Sequence, residues 1–255
     1  MSNNEPLPLI LAVETSSRIG SVAIAYGEKM IAKNCFSGPM KHSSEIFPVI
    51  QSLIKSIDKK PENIEHLYIS GGPGSFTGLR IAVSIAKMMH LANNVKIVKV
   101  DTLDVIATNV RDYFEQKEIK ERDNARTGGL ANETIAVILD AKRGQFFIAV
   151  YEIIREKKET LIKKVHSDSL MSIMKFHERF VCSGKTIKLL GDGLLYNKER
   201  FESDGITFFE DNYWSPRAEN VHKLGLEKAK MDQFEDPLEL KPFYLSRPDA
   251  KIKKR

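Results

Sequence analysis

The sequence predicts an α/β protein built as two related lobes. Each half opens with a β-hairpin whose turn is small or charged, Glu14 to Gly20 in the first and Asp140 to Gln145 in the second. Strands alternate with helices after each hairpin, which fits two lobes better than one doubly wound sheet. A charged, glycine-containing stretch, Arg111 to Asn132, lies between the two halves.

The elements follow in order. Leu9 to Val13 and Ser21 to Tyr26 are short apolar runs joined by a small, hydroxyl-rich turn, and a third strand runs through Met30 to Phe36. From Ser44 to Ile57 the apolar residues recur at helical spacing, with Pro48 tolerated near the helix start. His66 to Ser70 is a short strand that feeds the run SGGPGSFTGLR, Ser70 to Arg80. Glycine permits positive φ and close approach, and a glycine-rich turn opening a helix points free N–H groups outward. Gly72, Gly74, Ser75 and Thr77 therefore form either an anion-binding or docking loop, or a tight turn that packs closely and binds nothing. The run is neither a Walker A nor a dinucleotide fingerprint.

Leu79 to Ala92 is apolar nearly all round, so that helix must be buried on several faces, in the core or against a partner. Val95 to Val100 is a strand, and Leu103 to Phe114 begins another helix. Arg111 to Asn132, with Thr127-Gly128-Gly129, reads as an exposed loop or crossover. The second hairpin pairs Ile135 to Leu139 with Phe146 to Ile154. A further strand, Ile187 to Leu190, ends in Gly191-Asp192-Gly193, a late helix covers Asn220 to Met231, and a basic, proline-punctuated tail starts at Lys241.

Composition excludes several classes. The 255 residues carry a net charge of +5, with 42% hydrophobic and 29% charged residues, an ordinary globular balance. No apolar run reaches the length of a membrane span, and the first residues lack the order of a secretory signal. Cys35 and Cys182 stand far apart, which argues for a reducing cytoplasm and against a disulfide scaffold or zinc ribbon. No basic stripe with interleaved aromatics marks a nucleic-acid surface.

The segments ILAVETSSRIGSVAI, KHSSEIFPVIQSLI, GGPGSFTGLRIAVSIAKMM and VDTLDVIA together resemble the TsaB (YeaZ) family, a subunit of the bacterial machinery that makes N6-threonylcarbamoyladenosine at position 37 of tRNA. Echoes continue through LDAKRGQFFIAVY, LLGDG and PFYLSRPDA, and the resemblance is loosest between Tyr151 and Thr186. It implies the two-lobed fold of actin, Hsp70 and the sugar kinases. Residues 1–108 would form the first lobe and residues 109–214 a smaller second lobe, with residues 215–255 a C-terminal helix packing back on the first lobe plus a basic tail.

The resemblance also implies a role. The catalytic paralogue, TsaD, carries a metal-binding HxxxH pair after the strand that follows the glycine loop, and Thr102 and Ile106 stand at those two positions here. A hydroxyl and an alkyl group cannot replace two imidazoles as ligands. None of the six histidines forms a close HxxxH or HExxH pair, and His42 reads as a hydrogen-bonding residue near a helix start. The chain is therefore expected to bind no metal or cofactor and to be a non-catalytic partner that stabilises TsaD. TsaE would engage the assembled pair, tRNA would be met through the complex, and the isolated chain could pair with itself. Ile46, Ile50, Leu53, Ile81, Ile85, Met88 and Met89 are the expected interface residues, each of which could instead be ordinary core. The tail from Arg247 to Arg255 could add contacts to tRNA phosphates or remain solvated.

A different class of function stays open beside this one: an actin-like ATPase or phosphotransferase using the cleft between lobes. Its site would draw on Glu14, Thr15, Ser16, Gly72, Gly74, Ser75, Thr77, Asp140, Gly191, Asp192 and Gly193, with Glu14 and Asp140 flanking a phosphate-bound metal. Alternatively the two carboxylates simply cap their turns. A metallopeptidase reading fails on the missing histidine pair.

Overall fold

The structure, a computed structural model, describes residues 7–122, 133–156, 159–181 and 186–244. The Thr127-Gly128-Gly129 stretch and the tail from Arg247 lie outside the described residues. The first sheet contains β1 (Leu9–Glu14), β2 (Ser21–Tyr26), β3 (Lys29–Cys35), β4 (His66–Gly72) and β5 (Lys96–Asp101), in the order β3-β2-β1-β4-β5. β1 runs antiparallel to β2 and parallel to β4. It therefore lies at the centre with both faces covered, which is why LILAV is uniformly apolar rather than alternating. Leu9, Leu11 and Val13 point into one core, under α1 (His42–Ser56) and α2 (Phe76–Asn93). Ile10 and Ala12 point the other way, into a core shared with Tyr68, Val98, Ala218 and Val221.

The second sheet contains β6 (Glu133–Asp140), β7 (Gln145–Glu156), β8 (Glu159–Ser172), β9 (Ile187–Leu190) and β10 (Ile206–Phe208), in the order β10-β9-β6-β7-β8. In both sheets the order is third, second, first, fourth, fifth strand of the lobe. In both, the first three strands are antiparallel and the last two join in parallel. One topology thus occurs twice, and the chain has the two-lobed fold of the actin and sugar-kinase class.

The lobes are joined through short helices. α3 (Thr102–Ala107) sends Leu103 and Ile106 into the second core and Val105 into the core of the first sheet. α4 (Asn109–Arg122) follows at once, so the expected single helix from Leu103 breaks at Thr108. α4 also replaces the start of the expected charged loop: Glu, Gln, Lys and Arg are strong helix formers even without an apolar stripe. The buried Asn109 side chain donates to the carbonyls of Tyr213 and Ser215 (2.8 and 2.9 Å) and accepts from Asn220 at 2.7 Å. Asn220 belongs to α7 (Ala218–Lys230), which packs on the first sheet through Ala218 and Val221.

Two short helices, α5 (Ile173–Phe176) and α6 (Lys198–Phe201), complete the second lobe. α1 begins at His42 rather than Ser44, so Pro48 lies beyond its first turn and leaves one backbone carbonyl there without its helical donor. Among the described residues no helix is long and apolar enough to cross a membrane.

Candidate functional site

Glu14 ends β1 and is fully buried. One carboxylate oxygen accepts from the Ser16 N–H and hydroxyl, both at 2.5 Å, and the other accepts from the Ser70 hydroxyl at the end of β4. Burial pushes this carboxyl above the ordinary range, the Ser16 and Ser70 bonds pull it back, and the negative charge of Asp192 adds to the rise. The carboxylate closes the β1–β2 turn onto the neighbouring strand.

The glycine loop packs on the same turn. Ser75 N–H donates to Ser16 O at 2.7 Å, and Thr15 Oγ1 donates to Gly78 O at 2.8 Å. A Cβ on Gly74 would stand 2.3 Å from Ser16 O, and one on Gly78 1.8 Å from Thr15 O. The loop is glycine-rich because backbone meets backbone there. Ser75 caps α2, accepting from Gly78 N–H at 3.3 Å, while Thr77 is exposed. Gly71 O accepts from Phe243 N–H at 2.7 Å, which brings the C-terminal segment onto the loop beside Gly72.

Across the cleft, Asp140 accepts from the Lys142 N–H at 2.7 Å and pairs with its ammonium at 2.9 Å, so it too closes its own turn. Gly191 and Gly193 lie directly on the backbone of Ile138 and Asp140. Between them Asp192 reaches into the first lobe, where its carboxylate accepts from the Ser17 hydroxyl and is favoured by the Arg18 charge, although burial still pushes it above its ordinary range. The structure thus brings Asp192 close enough to Glu14 and Asp140 for their charges to act on one another, while Gly72 is buried against Phe243 and Leu79 and Thr77 is exposed.

Ser17, Arg18, Ser70 and Tyr196 complete this region and carried no signal of their own in the sequence. The Ser17 hydroxyl was legible only as part of a hydroxyl-rich turn. His42, the first residue of α1, donates Nε2–H to Ser17 O at 2.8 Å and packs edge-on against Phe36. Burial holds its imidazole below the usual value.

Thr102 and Ile106 are both fully buried. The carboxylates beside them face Lys164 of β8 instead, whose ammonium lies 2.6 Å from Asp104, 2.7 Å from Asp168 and 3.9 Å from Asp101. Tyr151 donates to Asp104 at 2.8 Å. Burial would lower the lysine, but Asp104 and Asp168 outweigh it and hold the ammonium above its ordinary range.

The expected interface residues divide in two. Ile46, Ile50, Leu53 and Ile85 are buried in the first lobe's own core, because both helices turn their apolar stripes onto the sheet. Ile81 and Met89 are partly buried, and Met88 is exposed. Phe47, Phe76 and Leu91 join Met88 on the outer surface of α1 and α2, and none of these three was expected there.

Residues 39–179 match the family described as TsaD: tRNA N6-adenosine threonylcarbamoyltransferase. The tRNA threonylcarbamoyladenosine biosynthesis protein TsaB of Bacillus subtilis is 26% identical over 227 residues, covering 88% of this chain and 89% of that one. The chain belongs to this family, in its TsaB (YeaZ) group. Its TsaB relatives include that of Buchnera aphidicola from Acyrthosiphon pisum, 26% identical over 87% of this chain and 90% of its own length. YeaZ from Pseudomonas aeruginosa shares the fold, with a TM-score of 0.70 at 19% identity over 94% of this chain and all of that one.

Proposed function

We propose that this TsaB-family chain serves N6-threonylcarbamoyladenosine formation on tRNA as a non-catalytic partner subunit that binds TsaD and stabilises its competent conformation. One observation carries the reading: Thr102 and Ile106, at the positions that match TsaD's metal-binding histidines, are packing residues with no exposed surface. Their side chains offer no ligand pair, so the transfer of the threonylcarbamoyl group from its adenylate falls to TsaD. A partner that binds only the active conformer raises its population by mass action. TsaE engages the assembled pair, and tRNA is met through the complex.

The docking surface in this reading is the outer side of α1 and α2, with Phe47, Phe76, Met88 and Leu91 exposed on it. A stable interface of this kind buries about 1,200–2,000 Å² in total, more than one helix offers. In the isolated chain a second copy would cover the same surface. The test is reconstitution of tRNA modification with TsaD, TsaE and supplied adenylate, with and without this chain, and with Met88→Arg. Modification that requires the chain and falls with Met88→Arg supports the reading. Equal modification without the chain overturns it.

A further inference from the structure

A groove of about 460 Å³ runs between α7, α4 and the β2–β3 hairpin, on the side of the first sheet opposite α1 and α2. Its walls carry both signs of charge, and most of these charges are closed into pairs. Lys33 meets Glu219 at 2.5 Å, Lys230 meets Glu28, and Arg111 meets Glu227 at 3.4 Å. Asp112 alone is left for two cations, Arg217 and Lys223, and it stands 3.6 Å from each. That separation is too long for a hydrogen bond.

The donors of these two cations are therefore unfilled. The Lys223 ammonium hydrogen-bonds to none of the described residues, and Arg217 commits only Nη2, to Asn212 O. A surplus positive charge thus sits where two side chains converge. A carboxylate is already present as Asp112 and closes a bond with neither of them. A phosphate monoester carries more charge and three terminal oxygens set tetrahedrally, so it can accept from both cations at once. Met30 and Leu226 add an apolar wall beside the charges. The volume falls within the range of about 300–1,000 Å³ usual for small-molecule pockets.

We propose that this groove binds a small phosphorylated molecule, its phosphate bridging Arg217 and Lys223 and its apolar part lying on Met30 and Leu226. Because α7 and the α1–α2 pair lie on opposite faces of the first sheet, this site is separate from the docking surface.

The test titrates phenyl phosphate into the full chain by calorimetry at low salt. The unaltered protein is expected to bind at one saturable site, and Lys223→Met and Arg217→Met should each weaken binding at least about tenfold. Lys33→Met, whose ammonium is already engaged by Glu219, should stay within about twofold of the unaltered protein. Benzoate, which offers a carboxylate on the same ring, and inorganic phosphate, which lacks the ring, should both bind more weakly. The proposal is overturned if phenyl phosphate does not bind, or if benzoate or inorganic phosphate binds as tightly. It also fails if Lys223→Met leaves binding unchanged, or if Lys33→Met weakens it as much, which would mark diffuse surface charge. Should Arg217→Met fail to fold, Lys223→Met decides on the same terms.

Discussion

Gly78→Ala asks what the glycine loop is for. The added Cβ would stand 1.8 Å from Thr15 O and 2.9 Å from its carbonyl carbon. Non-bonded carbon contacts prefer about 3.5–4.0 Å, so turn and loop must part by more than about 1 Å. That movement pulls on two bonds, Thr15 Oγ1 to Gly78 O at 2.8 Å and Ser75 N–H to Ser16 O at 2.7 Å. Each is worth about 1 kcal/mol. Overpacking adds about 1–3 kcal/mol. Alanine's better helix propensity returns up to about 1 kcal/mol, since Gly78 lies in the first turn of α2. The net expectation is a loss of about 2–4 kcal/mol, a large part of the 5–15 kcal/mol typical of a folded domain. Urea unfolding followed by circular dichroism measures it, with an unchanged slope showing that only stability moved. Gly144→Ala is the control, since φ is 72° there and nothing stands within 4 Å of the new Cβ. It should cost only about 1–2 kcal/mol, the price of the left-handed backbone. If Gly78→Ala unfolds at the same urea concentration as the unaltered protein, the glycine is not there for packing and the argument fails.

Four further outcomes follow from the geometry. Lys164→Met leaves Asp101, Asp104 and Asp168 facing one another and should destabilise by about 2 kcal/mol, below the fully buried range because the site is partly open. Adding Asp168→Asn should recover part of that loss in a double-mutant cycle. Asn109→Ala removes the donor to Tyr213 O and Ser215 O and the acceptor for Asn220, so thermal unfolding should report a loss of about 2–3 kcal/mol. His222 is held below the usual histidine value by burial and donates to Gly27 O at 2.7 Å, so its folded form prefers to be neutral. As pH falls below about 6.5 the unfolded chain gains that proton first and stability is lost, so the stability advantage of the unaltered protein over His222→Gln should shrink on acidification. Finally, Met88→Arg should leave stability within about 0.5 kcal/mol, whereas Ile85→Arg, one turn away but in the core, should prevent folding.

What the sequence made legible was whatever repeats locally. β1, β2 and β4 announced themselves as short apolar runs, and α1 and α2 as helical stripes, because a central strand or a sheet-covering helix cannot be built otherwise. β8 gave no such signal: it is an edge strand in which lysines and serines alternate with a few apolar residues. The helical stripes alone do not separate core from partner surface. A stripe at helical spacing marks the face that is buried, and in α1 and α2 that burial is against the chain's own sheet. The apolar residues that the two helices leave exposed include Phe47 and Met88.

The cleft shows the other limit of local reading. Glu14, Asp140 and Asp192 were visible as carboxylates in turns, and the fold brings Asp192 close enough to act on the charges of the other two. Whether each carboxylate faces outward or inward depends on donors the turn itself does not reveal. Ser70 lies 56 residues from Glu14, and Ser17 lies 175 from Asp192. Those donors make Glu14 a cap of its own turn and Asp192 a bridge between the lobes. Asp192 arrives from the second lobe and Ser17 from the first, so their contact forms only when the two lobes are assembled. Hence a change at position 192 should act on the cleft, whereas a change at Glu14, whose partners all lie within the first lobe, should act on the stability of that lobe.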